Sequence, residues 1–363
     1  MPGLSETLSR LAAARANATQ MPIPDSDRLA DIASFGSDPG NLRARHYIPA
    51  GFKAGAPLVV VLHGCTQNAA GYDHGSGWSA LADRHGFALL YPEQRPANNP
   101  NRCFNWFAAD DITRDQGEAL SIRQMIAHMI SDYHIDPTRV FVNGLSAGGA
   151  MTMVMLATYP ELFAGGAVIA GLPYGTATSV GAALQRMRGS GLPDAPALAE
   201  LVRDAAPTPL RWPRLSVWHG TSDQTVAPDN MEAIIAQWAA LQGLSVEAAQ
   251  HDRVDQQARR RWIGPRGTVH IEAYSIAGLG HGTPIDPVGD GACGTAMPFM
   301  LPAEICSTRH IAASWGIADT ARAKAAPRRA APPPPPRATA RPVAQGGVAK
   351  VISDALRAAG LMR

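Results

Sequence analysis

Residues 139–150 read RVFVNGLSAGGA: an apolar run breaks into Gly144-Leu145-Ser146-Ala147-Gly148 and passes into small residues. The run has the character of a strand buried on both faces. The stretch from Ala147 to Tyr159, ending before Pro160, reads as a helix. Gly-x-Ser-x-Gly by itself is a weak string that arises easily by chance. Between a strand and a helix it gains a specific meaning. A serine on a sharp strand-to-helix turn has a strained backbone, and its flanking glycines let neighbouring chain pass close by. Its hydroxyl then stands at the sheet edge, where the helix N-terminus offers N–H groups to a developing anion. Ser146 is the candidate nucleophile, weighed against a glycine-rich turn without chemistry.

Outward from this turn, LRARHYIP (42–49), APLVVVLHG (56–64), GFALLYP (86–92), AGGAVIAG (164–171) and RLSVWHG (214–220) read as strands. Residues 78–85, 116–133 and 230–241 read as helices. GLSVEAAQ (243–250) reads as a further strand, and RRRWIG, a GPRG turn and TVHIEAYSI (268–276) as a hairpin. Strands alternating with helices predict an α/β fold with a mostly parallel central sheet and helices on both faces. Residues 172–213, rich in Gly, Pro and Ala, interrupt the rhythm and read either as a cap over the site or as a surface insertion. The expected organisation is a partly helical N-terminal extension (1–40), a catalytic domain (41–317), a Pro/Arg-rich disordered linker (318–346) and a short amphipathic helix (347–363).

The chain has 363 residues, 46% of them hydrophobic, which excludes disorder over its whole length. No apolar run approaches the roughly 20 residues of a spanning helix. The N-terminus lacks the basic flank and apolar stretch of a signal peptide. As written, the chain favours a cytoplasmic protein; a secreted one would need residues ahead of Met1. The net charge of +2 conceals an asymmetry, because residues 321–363 hold nine basic side chains and one acid, Asp354. The remainder is mildly acidic, which speaks against nucleic acid as a partner. Attraction to an anionic granule or membrane surface would reside in the tail, where Val348, Val351, Ile352, Ala355 and Leu356 fall on one helical side.

A serine hydroxyl needs a base, and the base needs an orienting acid. Asp223 stands just after a strand, in HGTSDQTV; Asp194, Asp204, Asp229, Asp252 and Asp255 lack that placement. Of His251, His270, His281 and His310, only His281 lies in a flexible post-strand loop, AGLGHGTP. The oxyanion donors expected are the backbone N–H groups of Ala147 and Cys65. His63 in the same turn reads as structural. Trp106 and Phe104 in RCFNWF are candidate groove walls, Asn105 a loop-positioning residue, and Gln67 a candidate substrate contact. Four cysteines allow three pairings, and no cluster has metal-ligand spacing.

LHGCTQNAAGYD, RCFNWF, GLSAGGAM, HGTSDQTV and GLGHGTP, in this order, resemble the poly(3-hydroxybutyrate)-depolymerase-type esterases of the α/β-hydrolase superfamily. The resemblance covers roughly residues 40–317. It implies a Ser146–Asp223–His281 triad, an oxyanion hole at Cys65 and Ala147, and ester hydrolysis without metal or organic cofactor. Two readings compete with depolymerisation of poly- or oligo(3-hydroxyalkanoates): a feruloyl- or acetyl-type esterase on plant-wall or small esters, and a non-catalytic surface-binding scaffold. In an oxidising compartment the expected disulfides are Cys65–Cys103 and Cys293–Cys306.

Overall fold

The computed structural model describes residues 27–205, 211–289 and 291–319. Ten strands form one sheet: β1 (Ala30–Ile32), β2 (Arg43–Tyr47), β3 (Leu58–Leu62), β4 (Ala88–Glu93), β5 (Val140–Leu145), β6 (Gly165–Ile169), β7 (Arg214–Gly220), β8 (Gln250–Val254), β9 (Gln257–Ile263) and β10 (Val269–Ile276). Their spatial order is β1-β2-β4-β3-β5-β6-β7-β10-β9-β8. From β4 to β10 every neighbouring pair is parallel, while β1, β2, β9 and β8 close the two edges antiparallel. A small parallel pair, β11 (Thr283–Ile285) and β12 (Met300–Pro302), stands apart. The helices are α1 (Ala69–Ser76), α2 (Trp78–His85), α3 (Ala109–Ile112), α4 (Gly117–Tyr133), α5 (Ala147–Thr158), α6 (Val180–Met187), α7 (Ala195–Ala205), α8 (Asp229–Leu241) and α9 (Ser307–Ser314).

The period-2 alternation of the central strands sorts side chains into two cores. Leu58, Val60 and Leu62 of β3 pack with Ile122 and Met125 of α4, Val154 of α5, and Ile234 and Trp238 of α8. Val59 and Val61 point the other way, into a cluster with Tyr72, Trp78, Leu81 and Ile311 from α1, α2 and α9. Both faces are covered, which is why LVVVL and VFVNGL are buried at every position of the pleat.

Two expectations need correction. β1 lies inside the stretch read as an extension, so the sheet starts before residue 41. Three residues, Ala-Asp-Ile, are too few to show alternation. Residues 243–250 do not form a strand: Val246–Ala248 is a 3-10 turn, and the strand is the polar edge segment Gln250–Val254. Leu244 and Val246 are apolar because they pack against the core from a loop. The stretch 172–213 contains two helices, α6 and α7, whose Ala183, Leu198, Ala199 and Val202 are buried. It is also fastened from within. The Gln237 side chain on α8 accepts from Tyr174 N (2.9 Å) and donates to Tyr174 O (3.0 Å) and Leu198 O (2.9 Å). The linker and the C-terminal amphipathic helix lie outside the described residues.

Both expected disulfides are present, Cys65–Cys103 and Cys293–Cys306. The first closes a loop of sequence separation 38, long enough to restrict the unfolded chain by about 4 kcal/mol on loop entropy alone. Cys103→Ser is therefore expected to lower the urea-unfolding free energy by roughly 2–4 kcal/mol. An unchanged midpoint would show that the bond does not constrain the chain.

Candidate active site

Because β5, β6, β7 and β10 run parallel and adjacent, their carboxyl ends share one edge of the sheet. Ser146, Asp223 and His281 follow β5, β7 and β10 respectively, so the topology carries all three to that edge.

Ser146 has φ 57° and ψ −119°, a left-handed conformation that is costly for a residue with a Cβ. It is held by its N–H donating to Ile169 O (2.9 Å), and its carbonyl accepts from Ala150 N at the start of α5 (2.8 Å). The glycines around it are there for space. A Cβ on Gly144 would lie 2.3 Å from Gly148 O, and one on Gly148 would lie 2.2 Å from Leu62 O. Ala147 is the first residue of α5, so its N–H has no partner within the helix and stays available to an anion.

Asp223 is buried with its side chain fully inaccessible. Oδ1 accepts from the N–H groups of Thr225 (2.8 Å) and Val226 (2.9 Å), and Oδ2 accepts from His281 Nδ1 (2.7 Å). Burial alone would push this carboxyl up, but His281 and His219 beside it outweigh that and hold it well below the usual carboxylate range. An ionised Asp223 fixes the His281 tautomer with Nδ1 protonated, leaving Nε2 free to accept a proton. His219 was not singled out from sequence, although it ends the strand RLSVWHG. Its Nε2 donates to Val226 O (2.9 Å) and lies 3.4 Å from Asp223 Oδ2, bracing the acid from behind.

The His281 loop is fastened to the Asp223 turn. Ser222 N donates to Leu279 O (3.0 Å), and Gly278 N to Thr221 Oγ1 (2.9 Å). A Cβ on Gly220 would sit 2.3 Å from Leu279 O, so glycine at the end of β7 admits the loop. On its far side the imidazole meets Phe299 edge-on, with centroids 6.2 Å apart. Phe299 is held beside β12, and its carbonyl accepts from Thr283 N (2.8 Å).

Cys65 lies in the turn after β3. Gly64 N donates to Gln67 Oε1 (2.8 Å), and Thr66 N donates to Asn101 O (2.7 Å). Two expected substrate contacts are thereby corrected. Gln67 is 1% exposed and turns its carbonyl inward to hold the turn. Trp106 is buried against Phe107 within the main core, because burying its large apolar surface outweighs leaving it in a groove. Phe104 is fully buried beside His63. His63 is structural, as expected: Nδ1 donates to Gly64 O (2.8 Å), and Nε2 accepts from Gln94 N (3.1 Å).

Beneath this turn lies a buried polar chain that sequence reasoning missed. Gln94 Nε2 donates to Cys103 O (3.1 Å) and to Glu118 Oε1, while Asn105 N donates to Glu118 Oε2 (2.9 Å). Asn105 also donates to Asp111, so it positions this loop. Burial, reinforced by the nearby Asp111 carboxyl, pushes Glu118 up to about 8. The unfolded chain releases that proton near the ordinary 4.5, whereas the folded chain keeps it until about 8. Between those values the folded state holds more protons, so raising the pH favours unfolding. Stability is expected to fall as pH rises through this window, and to fall less in Glu118→Gln. Parallel urea midpoints for the two proteins from pH 5 to 8.5 (on the order of one window) check this; identical slopes would refute it.

Among the described residues no group of three or more His, Cys, Asp or Glu is placed to hold a metal ion. Residues 42–261 match the protein family described as Esterase PHB depolymerase. The chain is 46% identical over 296 residues to poly(3-hydroxyalkanoate) depolymerase C of Paucimonas lemoignei, covering 80% of this chain and 70% of that one. It is 31% identical over 274 residues to feruloyl esterase B of Talaromyces stipitatus, covering 73% and 75%. Among solved structures, acetyl xylan esterase from Aspergillus awamori superposes with a TM-score of 0.64 at 27% identity, over 70% of this chain and 93% of that one.

Proposed function

Since the chain belongs to the Esterase PHB depolymerase family, we propose that this serine carboxylesterase cleaves poly- or oligo(3-hydroxyalkanoate) esters through an acyl-enzyme on Ser146. The observation that carries the substrate class is the 46% identity to a depolymerase over 80% of the chain. Support for the catalytic roles is the buried Asp223–His281 pair at the same sheet edge as the strained Ser146.

In this reading Ser146 Oγ bonds to the ester carbonyl carbon as His281 Nε2 takes its proton. The carbonyl oxygen becomes an oxyanion held by the N–H groups of Cys65 and Ala147. His281 then protonates the departing alkoxide, which leaves as the hydroxyl end of the shortened chain. Water attacks the acyl carbon, gives its proton to His281, and frees the acid and the Ser146 hydroxyl. Asp223 stays ionised throughout and steadies the imidazolium.

The basic tail, residues 321–363, is read from its sequence as a contact for an anionic granule or membrane surface. One panel tests substrate and tail together: hydroxybutyrate oligomers, feruloyl esters, acetylated xylan and a short p-nitrophenyl ester, with the full chain and a chain ending at residue 320. The expected result is preference for the oligomers, equal turnover of the soluble ester by both forms, and weaker granule co-sedimentation after truncation. Preference for feruloyl or acetyl groups would move the chain to the other esterases it is related to. Absence of any turnover would leave a surface-binding scaffold.

A further inference from the structure

A cleft of about 470 Å³ opens at the amino-terminal ends of β7 and β10, the opposite edge of the sheet from Ser146. It lies between the sheet face and α9. Its walls carry three guanidinium groups, Arg214, Arg259 and Arg261, beside the apolar side chains of Val269 and Ala313. Register explains the concentration of charge. Glu272 of β10 pairs with Arg261 of β9, and Tyr274 with Arg259, so these side chains project from one face of the sheet beside His270.

The charges do not balance within the walls. Arg259 and Arg261 share a single carboxylate, Asp252, at 2.6 Å and 3.1 Å. Arg261 Nε is buried with no hydrogen-bond partner among the described residues. Among the described residues Arg214 is bonded to a carbonyl alone, Ser314 O (3.1 Å). Glu272 is committed to Ser216 Oγ (2.9 Å), and burial favours its neutral form. His310, at the rim, is bonded to Asp255 (2.8 Å). Guanidinium groups with unspent donors favour a carboxylate or phosphate, which they hold through paired N–H bonds. The apolar side chains of Val269 and Ala313 select between the two: they have nothing to offer a bare phosphate and can cover a short alkyl chain.

We propose that this cleft is a binding site for a short-chain organic carboxylate, separate from the catalytic edge. The inference stands on the cleft's own residues and does not depend on which ester the protein cleaves. Calorimetric titration of the full chain carrying Ser146→Ala tests it, with 3-hydroxybutyrate in one arm and inorganic phosphate in the other. The expected result is saturable one-to-one binding of the hydroxy acid, at least tenfold weaker phosphate binding, and at least tenfold loss of affinity in Arg261→Gln. Ala313→Met, which fills the cleft and keeps every arginine, is expected to exclude the acid as well. It keeps the test decisive should the arginine variant fail to fold. Lack of binding, binding insensitive to Ala313→Met, or phosphate bound as tightly as the acid would each overturn the proposal.

Discussion

Ser146→Ala is expected to lower kcat/KM for any ester the protein hydrolyses by about a thousandfold or more, and His281→Ala by a similar factor. The two act as one unit, so the double variant should be no worse than the poorer single one. Ser146→Ala should cost little stability, because alanine keeps the Cβ that makes φ 57° expensive and loses only a hydroxyl, whereas His281→Ala strips the buried Asp223 carboxylate of a partner and should destabilise the fold. Ser146→Gly is the informative companion. It removes the Cβ, and with it about 1 kcal/mol or more of backbone strain, so it should be as inactive as Ser146→Ala yet unfold at higher urea. Turnover close to that of the unaltered protein in Ser146→Ala would remove the serine from the mechanism.

Gly148→Ala carries the largest expected effect on the fold. Its Cβ would stand 2.2 Å from Leu62 O and 2.5 Å from His63 O. Both neighbours are backbone, and β3 is paired on either side by β4 and β5, so neither can swing away as a side chain would. Helix α5 would have to lift from the sheet, carrying the N–H of Ala147 with it. A loss of about 3 kcal/mol or more, with loss of turnover, is the expected outcome. Gly181→Ala is the control: it lies within α6 with open space around it, and should be neutral or stabilising by roughly 0.5–1 kcal/mol. Equal unfolding free energies for the two variants would show that the close approach of α5 to β3 is not the constraint.

The sheet edge that gathers Ser146, Asp223 and His281 was legible in the sequence because its parts are local. The elbow shows as a strand, a small-residue turn and a helix within some twenty residues, and Asp223 and His281 each follow an apolar strand. The supports were not legible, since they join residues far apart in the chain that have no pattern of their own. Glu118 and Asn105 meet across a loop, and Phe299 reaches His281 only because β12 pairs with β11. His219 sits in a run of buried residues, where a polar side chain is a signal that something must satisfy it. Gln67 and Trp106 went astray for one reason: residue type suggests contact with a ligand, but only packing decides which way the side chain turns.

Gln237 sets the boundaries of what could be exchanged between relatives by recombination. Its amide meets the backbone at Tyr174 and Leu198, so a crossover that replaced 172–213 alone would strand two buried hydrogen-bonding groups on α8, the carbonyl and the NH2 of Gln237. Each would cost about 1–3 kcal/mol. A chimaera that carries the insertion and α8 together avoids the loss. The unit open to exchange is thus the whole connection from β6 through α8, a larger block than its glycine- and proline-rich composition suggests.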